Sequence, residues 1–246
     1  MREMNPAKIP IIINSFNQLT YLRTMVTQLQ RLGCKDIVVL DQASTHPPLL
    51  EYLASVEKSV AVVRLRENNG PHWLFTSGFV SALPQWFVYT DPDILFPKSM
   101  PRSFLSDMLK VCKRNNAAKV GLALDISQPE KIKRAELPLR GRIYSIPEWE
   151  RQFWQTRVPM LGLEVYRAPV DTTFALYNRL RFDPEIKKLR TTGVYHCMDM
   201  TNSYRLAGRY TSVHLPWMLD DPIPEPELQW YIATRRNVHE YLEIPD

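Results

Sequence analysis

Short apolar runs alternate with helically spaced apolar residues along the first half of the chain. Residues 9–13 form an uninterrupted apolar run, which is typical of a buried strand. Apolar side chains then recur every three or four positions over 19–32, and Gly33 follows where a helix commonly ends. The same alternation predicts strands at 37–40, 60–65 and 86–90. It also predicts two helices, a short one that begins at Pro47 and another over about 73–83. Strands joined by helical segments of this length form a parallel sheet, so the pattern predicts an α/β fold.

The pattern of the second half is less regular. A helix is predicted at about 99–114 and a strand at 119–124, followed by a proline- and charge-rich surface excursion over 125–150. The remaining predicted elements are a strand at 172–177, a helix at 196–207, a strand at 210–215 and an amphipathic helix within 225–242. The simplest organisation is one domain over 1–217 with a C-terminal extension over 218–246, which we expect to be helical.

The composition is that of an ordinary globular protein, with 246 residues of which 45% are hydrophobic and 23% charged. No apolar run approaches the roughly 20 residues of a membrane span, and the N-terminus lacks the apolar stretch of a secretion signal. We therefore expect a cytoplasmic protein. Cys34, Cys112 and Cys197 lie far apart and form no CxxC pair, which argues against a zinc knuckle and against a disulfide framework.

Glycine is scarce in this chain, with 8 residues against 20 prolines. The glycine-rich patterns GxGxxG and GxxxxGK[ST], which bind phosphates through backbone N–H groups, are absent, as is the GxSxG of serine hydrolases. A protein of this composition that handles phosphates must therefore use another device.

Three aspartates, Asp41, Asp91 and Asp93, follow predicted strands, and ligands bind beyond the carboxyl ends of parallel strands. Asp91 and Asp93 are two residues apart in extended chain, so their side chains point to the same side. Two such oxygen ligands suit Mg²⁺ or Mn²⁺, which would bridge the oxygens of a diphosphate and replace a glycine-rich loop. The alternative is that Asp91-Pro92-Asp93 is only a polar turn after a strand.

Polar residues at the neighbouring strand ends are candidates for nucleoside binding. Asp41 can accept the N3–H of a uracil ring or bond a ribose hydroxyl, and Asn14 and Ser15 lie at the adjacent strand end. The structural alternative for Asp41 is that it begins a turn before Ser44 and caps the next helix.

Four segments resemble a known family. In order, IPIIINSFNQLTYLRTMVTQL, DIVVLDQAST, VRLRENNGP and FVYTDPD are similar to the nucleotide-binding half of GT-A fold glycosyltransferases, most like glycosyltransferase family 2. The resemblance covers residues 9–96 and continues more loosely to about 217. It implies an α/β GT-A fold with a mostly parallel central sheet flanked by helices. It also implies a nucleotide-sugar-binding half over 1–97 and an acceptor-side half over 98–217.

The resemblance implies roles for individual residues. Asp41 matches an aspartate that contacts the nucleoside, and Asp91 and Asp93 match the DxD motif that holds a divalent metal on the sugar diphosphate. The loop Asn68-Asn69-Gly70 matches one that lies near the donor. The chain departs from the family at 41–45, where Asp-Gln-Ala-Ser-Thr replaces the common Asp-Asp/Asn-x-Ser-x-Asp, and this departure bears on which base is bound.

Residues 198–214 are similar to the family's second landmark, in which an acidic pair opens a helix. Its positions are matched by Asp199, Arg205, Gly208 and His214, with Met198 in place of the usual Glu. In inverting members the aspartate matching Asp199 is the general base, because a sugar hydroxyl becomes a good nucleophile only as its proton leaves. Asp199 is alternatively a helix N-terminal residue stabilised by the helix dipole. Asp171 is the second candidate base, and a plain loop-ending residue is its alternative interpretation.

His214 and Trp217 lie at the end of the last predicted strand. A neutral His214 imidazole would complete the metal site of Asp91 and Asp93, although a histidine at a strand end is also a common structural residue. Trp217 is either a wall of the sugar pocket or a core aromatic.

Positive charge is concentrated in residues 98–142, where eleven Lys/Arg and four Asp/Glu give +7 in a chain whose net charge is +5. This segment is either a solvated face or an attractive surface for an anionic glycan, a lipid diphosphate or the inner face of the membrane. No nucleic-acid-binding motif is present and the charge is not dense, so we expect no nucleic acid partner.

These features predict a glycosyltransferase that uses Mn²⁺ or Mg²⁺ and moves a sugar from a nucleotide-sugar, with UDP-sugar favoured, to a hydroxyl of a glycan or glycolipid. The family resemblance favours inversion of the anomeric centre. One alternative is a non-catalytic nucleotide- or carbohydrate-binding module on the same fold. Another is a sugar nucleotidyltransferase, a class that typically carries a basic glycine-rich loop after the first strand, which residues 11–16 lack.

Overall fold

A nine-stranded sheet forms the centre of the part of the chain that the structure describes. The structure is a computed structural model and describes residues 5–134, 136–139, 142–170, 173–181 and 202–235. Its strands are β1 (Ile11–Ser15), β2 (Ile37–Asp41), β3 (Ala61–Arg64), β4 (Trp86–Thr90), β5 (Ile94–Leu95), β6 (Lys119–Leu122), β7 (Glu136–Leu139), β8 (Arg142–Ser145), β9 (Arg157–Val158), β10 (Val165–Arg167), β11 (Ala175–Asn178), β12 (Ser203–Leu206) and β13 (Val213–His214). Its α-helices are α1 (Leu19–Arg31), α2 (Pro47–Val56), α3 (Trp73–Thr76), α4 (Phe104–Asn115), α5 (Ile146–Arg151) and α6 (Glu225–Thr234).

The strands of the first half are parallel and end at a common edge of the sheet. The strand order is β3-β2-β1-β4-β11-β6-β12-β10-β9, and β3, β2, β1 and β4 all run in the same direction. β11 is antiparallel to both of its neighbours, and β12 is again parallel to β6. In this register Ser15 lies opposite Asp41, and Ile13 lies opposite Thr90. The α/β class is therefore confirmed, and the ends of β1, β2 and β4 lie side by side.

Two apolar cores cover the two faces of the sheet. In the larger core α1 and α4 pack on the sheet through fully buried side chains such as Leu22 and Met108. In the smaller core Phe87 and Tyr177 stack with ring centroids 5.1 Å apart, beside the buried Phe75. Each fully buried side chain of this size contributes about 1.5–3 kcal/mol, so both faces hold the strand ends in place.

Two predicted helices, one in each half of the chain, begin later or end earlier than the sequence pattern predicts. The helix expected over 73–83 is interrupted at Gly78, whose φ of +81° lies in the left-handed region, and a 3-10 turn follows at Phe79–Ala82. The helix expected from about 99 begins only at Phe104. Pro101 accounts for the exclusion of Met100 from the helix, because a proline disfavours the helical conformation at the residue before it.

The predicted helix over 196–207 is wrong for its C-terminal part, where the chain forms β12. Tyr204 and Leu206 point into the larger core, while Ser203 and Arg205 lie on the other face of the sheet. This alternation of period two is the signature of a strand. Residues 196–201 lie outside the described part of the chain.

Other elements of the second half differ in extent from the prediction. The strand expected at 172–177 is β11, which begins at Ala175. The strand expected at 210–215 is reduced to β13, which pairs with β5 outside the central sheet. The surface excursion over 125–150 contains the β7–β8 hairpin and α5, which begins with a capping box between Ser145 and Glu148.

The predicted C-terminal helix is present as α6 over Glu225–Thr234, and residues 236–242 of the predicted range lie outside the described part of the chain. Trp230 and Ile232 are exposed, whereas Glu227 is buried. The helix is therefore not held by a continuous apolar face. In the residues that the structure describes, no helix has the length and apolarity needed to cross a membrane.

Candidate active site

A cleft of about 250 Å³ opens at the edge where β1, β2 and β4 end. Its lining comes from the first strand end, the loops that follow β2, β3 and β4, and the C-terminal helix. The lining residues are Asn14, Phe16, Gln18, Gln42, Asn68, Gly70, Pro71, Asp91, Pro92, Asp93, Tyr231 and Arg235. The cleft therefore brings together the predicted donor-site residues Asn14, Gly70, Asp91 and Asp93.

Side-chain amides connect the strand ends with the loop that follows β3. Gln42 Nε2 donates to Asn14 Oδ1 over 2.8 Å, and the Asn69 backbone N–H donates to Gln42 Oε1 over 3.1 Å. Gly70 N–H donates to Asn68 Oδ1 over 2.9 Å, and its φ of +79° is a conformation that favours glycine. Gln42 was not predicted as a site residue. Its position directly after Asp41, at the end of β2, is the sequence feature that could have indicated it.

Asp41 and Ser15 lie behind the cleft rather than in its lining. Asp41 is fully buried, and its carboxylate accepts hydrogen bonds from Arg64 Nε at 3.0 Å and from the Ser44 backbone N–H at 3.3 Å. Ser15 is also fully buried, and its hydroxyl has no hydrogen-bond partner among the described residues. A nucleoside contact by either residue stays a prediction.

Asp93 and His214 are brought together by the pairing of β5 with β13. His214 lies opposite Ile94 in this ladder, and the Leu215 N–H donates to the Asp93 backbone carbonyl over 2.9 Å. As a result His214 Nε2 lies 3.4 Å from Asp93 Oδ2. Trp217 packs edge-on against the His214 ring with centroids 4.6 Å apart, and it also contacts the larger core.

The side chains at this point of the cleft suit a divalent metal that is also bound by a diphosphate. Asp93 Oδ1 is buried without a hydrogen-bond partner among the described residues, and Asp91 lines the same cleft. Within those residues no group of three or more His, Cys, Asp or Glu side chains encloses a possible metal position. Mg²⁺ in phosphate-handling sites is commonly bound by one or two carboxylates together with substrate phosphates. A metal role for Asp91, Asp93 and His214 therefore remains a prediction that the local chemistry fits.

The C-terminal helix supplies the side of the cleft that faces the two aspartates. Tyr231 of α6 packs edge-on against Phe16 with centroids 6.3 Å apart. Burial raises the pKa of Tyr231, Arg235 lowers it, and the charges of Asp91 and Asp93 raise it further. Tyr231 and Arg235 could not be predicted from the positions of the strand ends, because both reach the cleft only through the docking of the C-terminal extension.

The sequence comparison decides the family. The sequence model of glycosyl transferase family 2 matches residues 11–174, which is more than half of the chain. The chain belongs to glycosyl transferase family 2. The predicted resemblance, the GT-A fold and the enzyme class are thereby confirmed. The match runs from the start of β1 to just before β11, so His214 and the C-terminal helix of this family 2 enzyme lie beyond it.

Two solved structures are similar to this family 2 enzyme at low sequence identity. One is the mannosyltransferase PcManGT from Pyrobaculum calidifontis in complex with GDP-Man and Mn²⁺, with 15% identity, a TM-score of 0.49 and coverage of 86% of this chain and 58% of that chain. The other, from Bacillus anthracis, is assigned by name as a glucose-1-phosphate thymidylyltransferase in complex with a sucrose, with 14% identity, a TM-score of 0.47 and coverage of 78% and 80%. No curated protein sequence matches the chain.

Both candidate bases of the family 2 enzyme, Asp171 and Asp199, lie outside the described residues. Two other positions of the second landmark have structural roles. Arg205 is buried, forms an ion pair with Glu150 and stacks on Phe153. Gly208 has a φ of +66°, and a Cβ at this position would lie 3.1 Å from a Glu164 carboxylate oxygen.

Proposed function

We propose that this family 2 glycosyltransferase binds a nucleoside diphosphate sugar together with Mn²⁺ or Mg²⁺ and transfers the sugar to a hydroxyl of a glycan or glycolipid. The observation that carries the proposal is the placement of Asp91 and Asp93 in the cleft, with a buried, unpartnered Asp93 oxygen beside His214 in the described structure. Burying a carboxylate oxygen in this position costs free energy unless a cation or a hydrogen-bond donor binds it.

The amide groups around the cleft would hold the nucleoside. Asn14, Gln42 and Asn68 line the cleft, and each side-chain amide offers both donors and acceptors. Such groups suit a base edge or ribose hydroxyls, and the family resemblance makes uridine the proposed nucleoside. The hydrogen bonds that join Gln42 to Asn14 and Asn69 would keep these groups oriented before the donor binds.

The metal site would hold the diphosphate end of the donor. When bound, a divalent metal supplies positive charge that offsets the charge developing on the leaving diphosphate. The protein's part is to hold Asp93 through the β5–β13 pairing and to present Asp91 at the same side of the cleft. Asp199 or Asp171 is proposed to accept the proton of the acceptor hydroxyl, with inversion at the anomeric carbon.

The substitution Asp93→Asn tests the metal assignment. We expect it to remove Mn²⁺-dependent binding of UDP in titration calorimetry and to lower release of UDP from a UDP-sugar by at least about a hundredfold, because metal charge stabilisation is worth several kcal/mol. Asp36→Asn is the matched control, because Asp36 is exposed and does not line the cleft.

Equal binding and turnover by Asp93→Asn and the wild type would contradict the metal assignment. Binding without turnover across a broad panel of acceptors and donor sugars would contradict the proposed transferase activity. Pyrophosphate release from a nucleoside triphosphate and a sugar phosphate would instead indicate nucleotidyl transfer.

A further inference from the structure

Arg235, the residue that follows α6, brings a cation to the lining of the cleft. The Arg235 backbone N–H donates to the Tyr231 carbonyl over 2.8 Å, so the two side chains follow each other by one helical turn. Both line the cleft that also contains Asp91 and Asp93. Within the described ranges, no carboxylate forms an ion pair with the Arg235 guanidinium.

Specific polar contacts seat the extension on the elements that build this cleft. Glu227 is 5% exposed and accepts hydrogen bonds from both the backbone N–H and the hydroxyl of Thr20, each over 2.8 Å. Asn17 Nδ2 donates to Thr234 Oγ1 over 2.7 Å, in the turn that immediately precedes Arg235. Asn17 and Thr20 lie between the end of β1 and the first turn of α1. The position of Arg235 is therefore set by the same loop that borders the cleft.

Among the described residues, the charged side chains of the cleft lining are two carboxylates and one guanidinium, those of Asp91, Asp93 and Arg235. Asp91 and Asp93 carry two negative charges, which one divalent metal would offset. The diphosphate of a sugar donor brings further negative charge into the cleft. Arginine is well suited to this charge, because its guanidinium is permanently charged and matches phosphate oxygens with two parallel hydrogen bonds.

We propose that Arg235 binds the diphosphate of the donor and that the C-terminal extension is a part of the donor site. This inference rests on the proposed function and assigns a donor-binding role to a residue beyond the family match. Tyr231, which packs edge-on against Phe16, lines the same cleft one helical turn before Arg235.

The test compares nucleotide binding by the wild type, Arg235→Gln and Arg235→Lys in the presence of Mn²⁺. Titration calorimetry is performed with UDP and GDP and with the corresponding nucleosides, uridine and guanosine. We expect Arg235→Gln to raise the Kd for the bound diphosphate roughly ten- to a hundred-fold, as for other hydrogen bonds to charged groups. The Kd for the nucleoside should stay unchanged, and Arg235→Lys should recover part of the loss because it keeps the charge.

Arg102→Gln is the matched control, because Arg102 is exposed and lies outside the cleft lining. Thermal unfolding of each variant checks folding, and Arg235→Gln should unfold at the wild-type temperature since no ion pair is lost. If the wild type binds UDP or GDP and the Arg235→Gln variant binds the same nucleotide equally well, this inference alone is overturned. A wild type that binds neither diphosphate overturns the proposed function and this inference together.

Discussion

The carboxylate of Asp41 is completely buried, yet its cationic partner is half exposed. Arg64 has 50% of its side-chain surface exposed and donates from Nε to Asp41 Oδ2, while its Nη2 reaches the Ser44 carbonyl at 3.2 Å. Ala43, between the two acceptors, has a φ of 59°, so the turn after β2 adopts a conformation that an alanine rarely takes. The turn that presents Gln42 to the cleft is therefore stabilised by this arginine.

The substitution Arg64→Met should lower the free energy of unfolding by about 1–3 kcal/mol, because Asp41 would stay buried with only the Ser44 N–H as a strong donor. Urea denaturation measures the difference. Arg66→Met, at an exposed position two residues later, is the control and should change stability little. A loss of stability that is the same in both variants would contradict this account of Asp41.

Asn17 connects three parts of the cleft from one backbone position. Its φ is 51°, a conformation that asparagine tolerates better than most residues. Its side-chain oxygen accepts from the Thr45 N–H at 2.7 Å and the His46 N–H at 3.0 Å, while its amide nitrogen donates to Thr234. One side chain thus joins the loops after β1 and β2 to the C-terminal helix.

At the scale of elements, α4 is connected to the chain after β12 through Asp107. Its carboxylate accepts from Ser103, from Lys110 and from the Tyr210 hydroxyl, over 2.7, 2.8 and 2.8 Å. Burial raises the pKa of Asp107, but hydrogen bonds from these three partners outweigh it, so the pKa lies below its ordinary value of 3.8. The ionised carboxylate therefore stabilises the contact between α4 and the 3-10 turn at Gly208–Tyr210.

Stability should accordingly depend on pH through Asp107. Since the folded-state pKa is lowered, its contribution is fully present above the unfolded value of about 3.8 and is lost as the pH falls through the folded-state value. Asp107→Asn should therefore be less stable than the wild type at neutral pH, and the difference should shrink at about pH 3. Urea denaturation at the two pH values measures it, and a difference that stays constant would contradict the role of the ionised form.

Buried Glu227 contributes two hydrogen bonds to the docking of α6. Glu227→Ala should lower the free energy of unfolding by about 1.5–3 kcal/mol, because two charge-assisted hydrogen bonds from Thr20 are lost. Urea denaturation measures the change, and Glu51→Ala at an exposed position of α2 is the control. Equal stability of Glu227→Ala and the wild type would show that the contacts of Glu227 add nothing to the docking of the helix.

For the whole molecule, the first half of the fold was predictable because its signals are local. The apolar runs that give β1, β2 and β4 need only neighbouring residues to be recognised, and parallel strands bring their ends to one edge. Asn14, Asp91 and Asp93 were found in the cleft for this reason. Asp41 was predicted at the same edge. Its buried ion pair with Arg64 was not predicted, because Arg64 lies on β3 and the prediction considered only the residues that follow each strand.

The rest of the site was not predictable because it depends on contacts between distant segments. Tyr231 and Arg235 reach the cleft only when Glu227 and Thr234 bind Thr20 and Asn17. Residues 203–206 form a strand because they pair with β6, whereas the sequence predicted a helix there. The contacts of Glu227 and Thr234 leave no periodic pattern in the sequence, and the alternation over Ser203 to Leu206 is only four residues long.

The contact between Asn17 and Thr234 spans 217 positions of the sequence, almost the whole chain. A ribosome therefore releases the strands β1, β2 and β4 long before it releases the helix that closes their shared edge. Contacts this far apart in sequence carry a high chain-entropy cost and generally form late in folding. Since α6 lines the cleft, the cleft is complete only after this helix has docked, and the appearance of diphosphate affinity during synthesis would mark the arrival of α6 rather than the folding of the sheet.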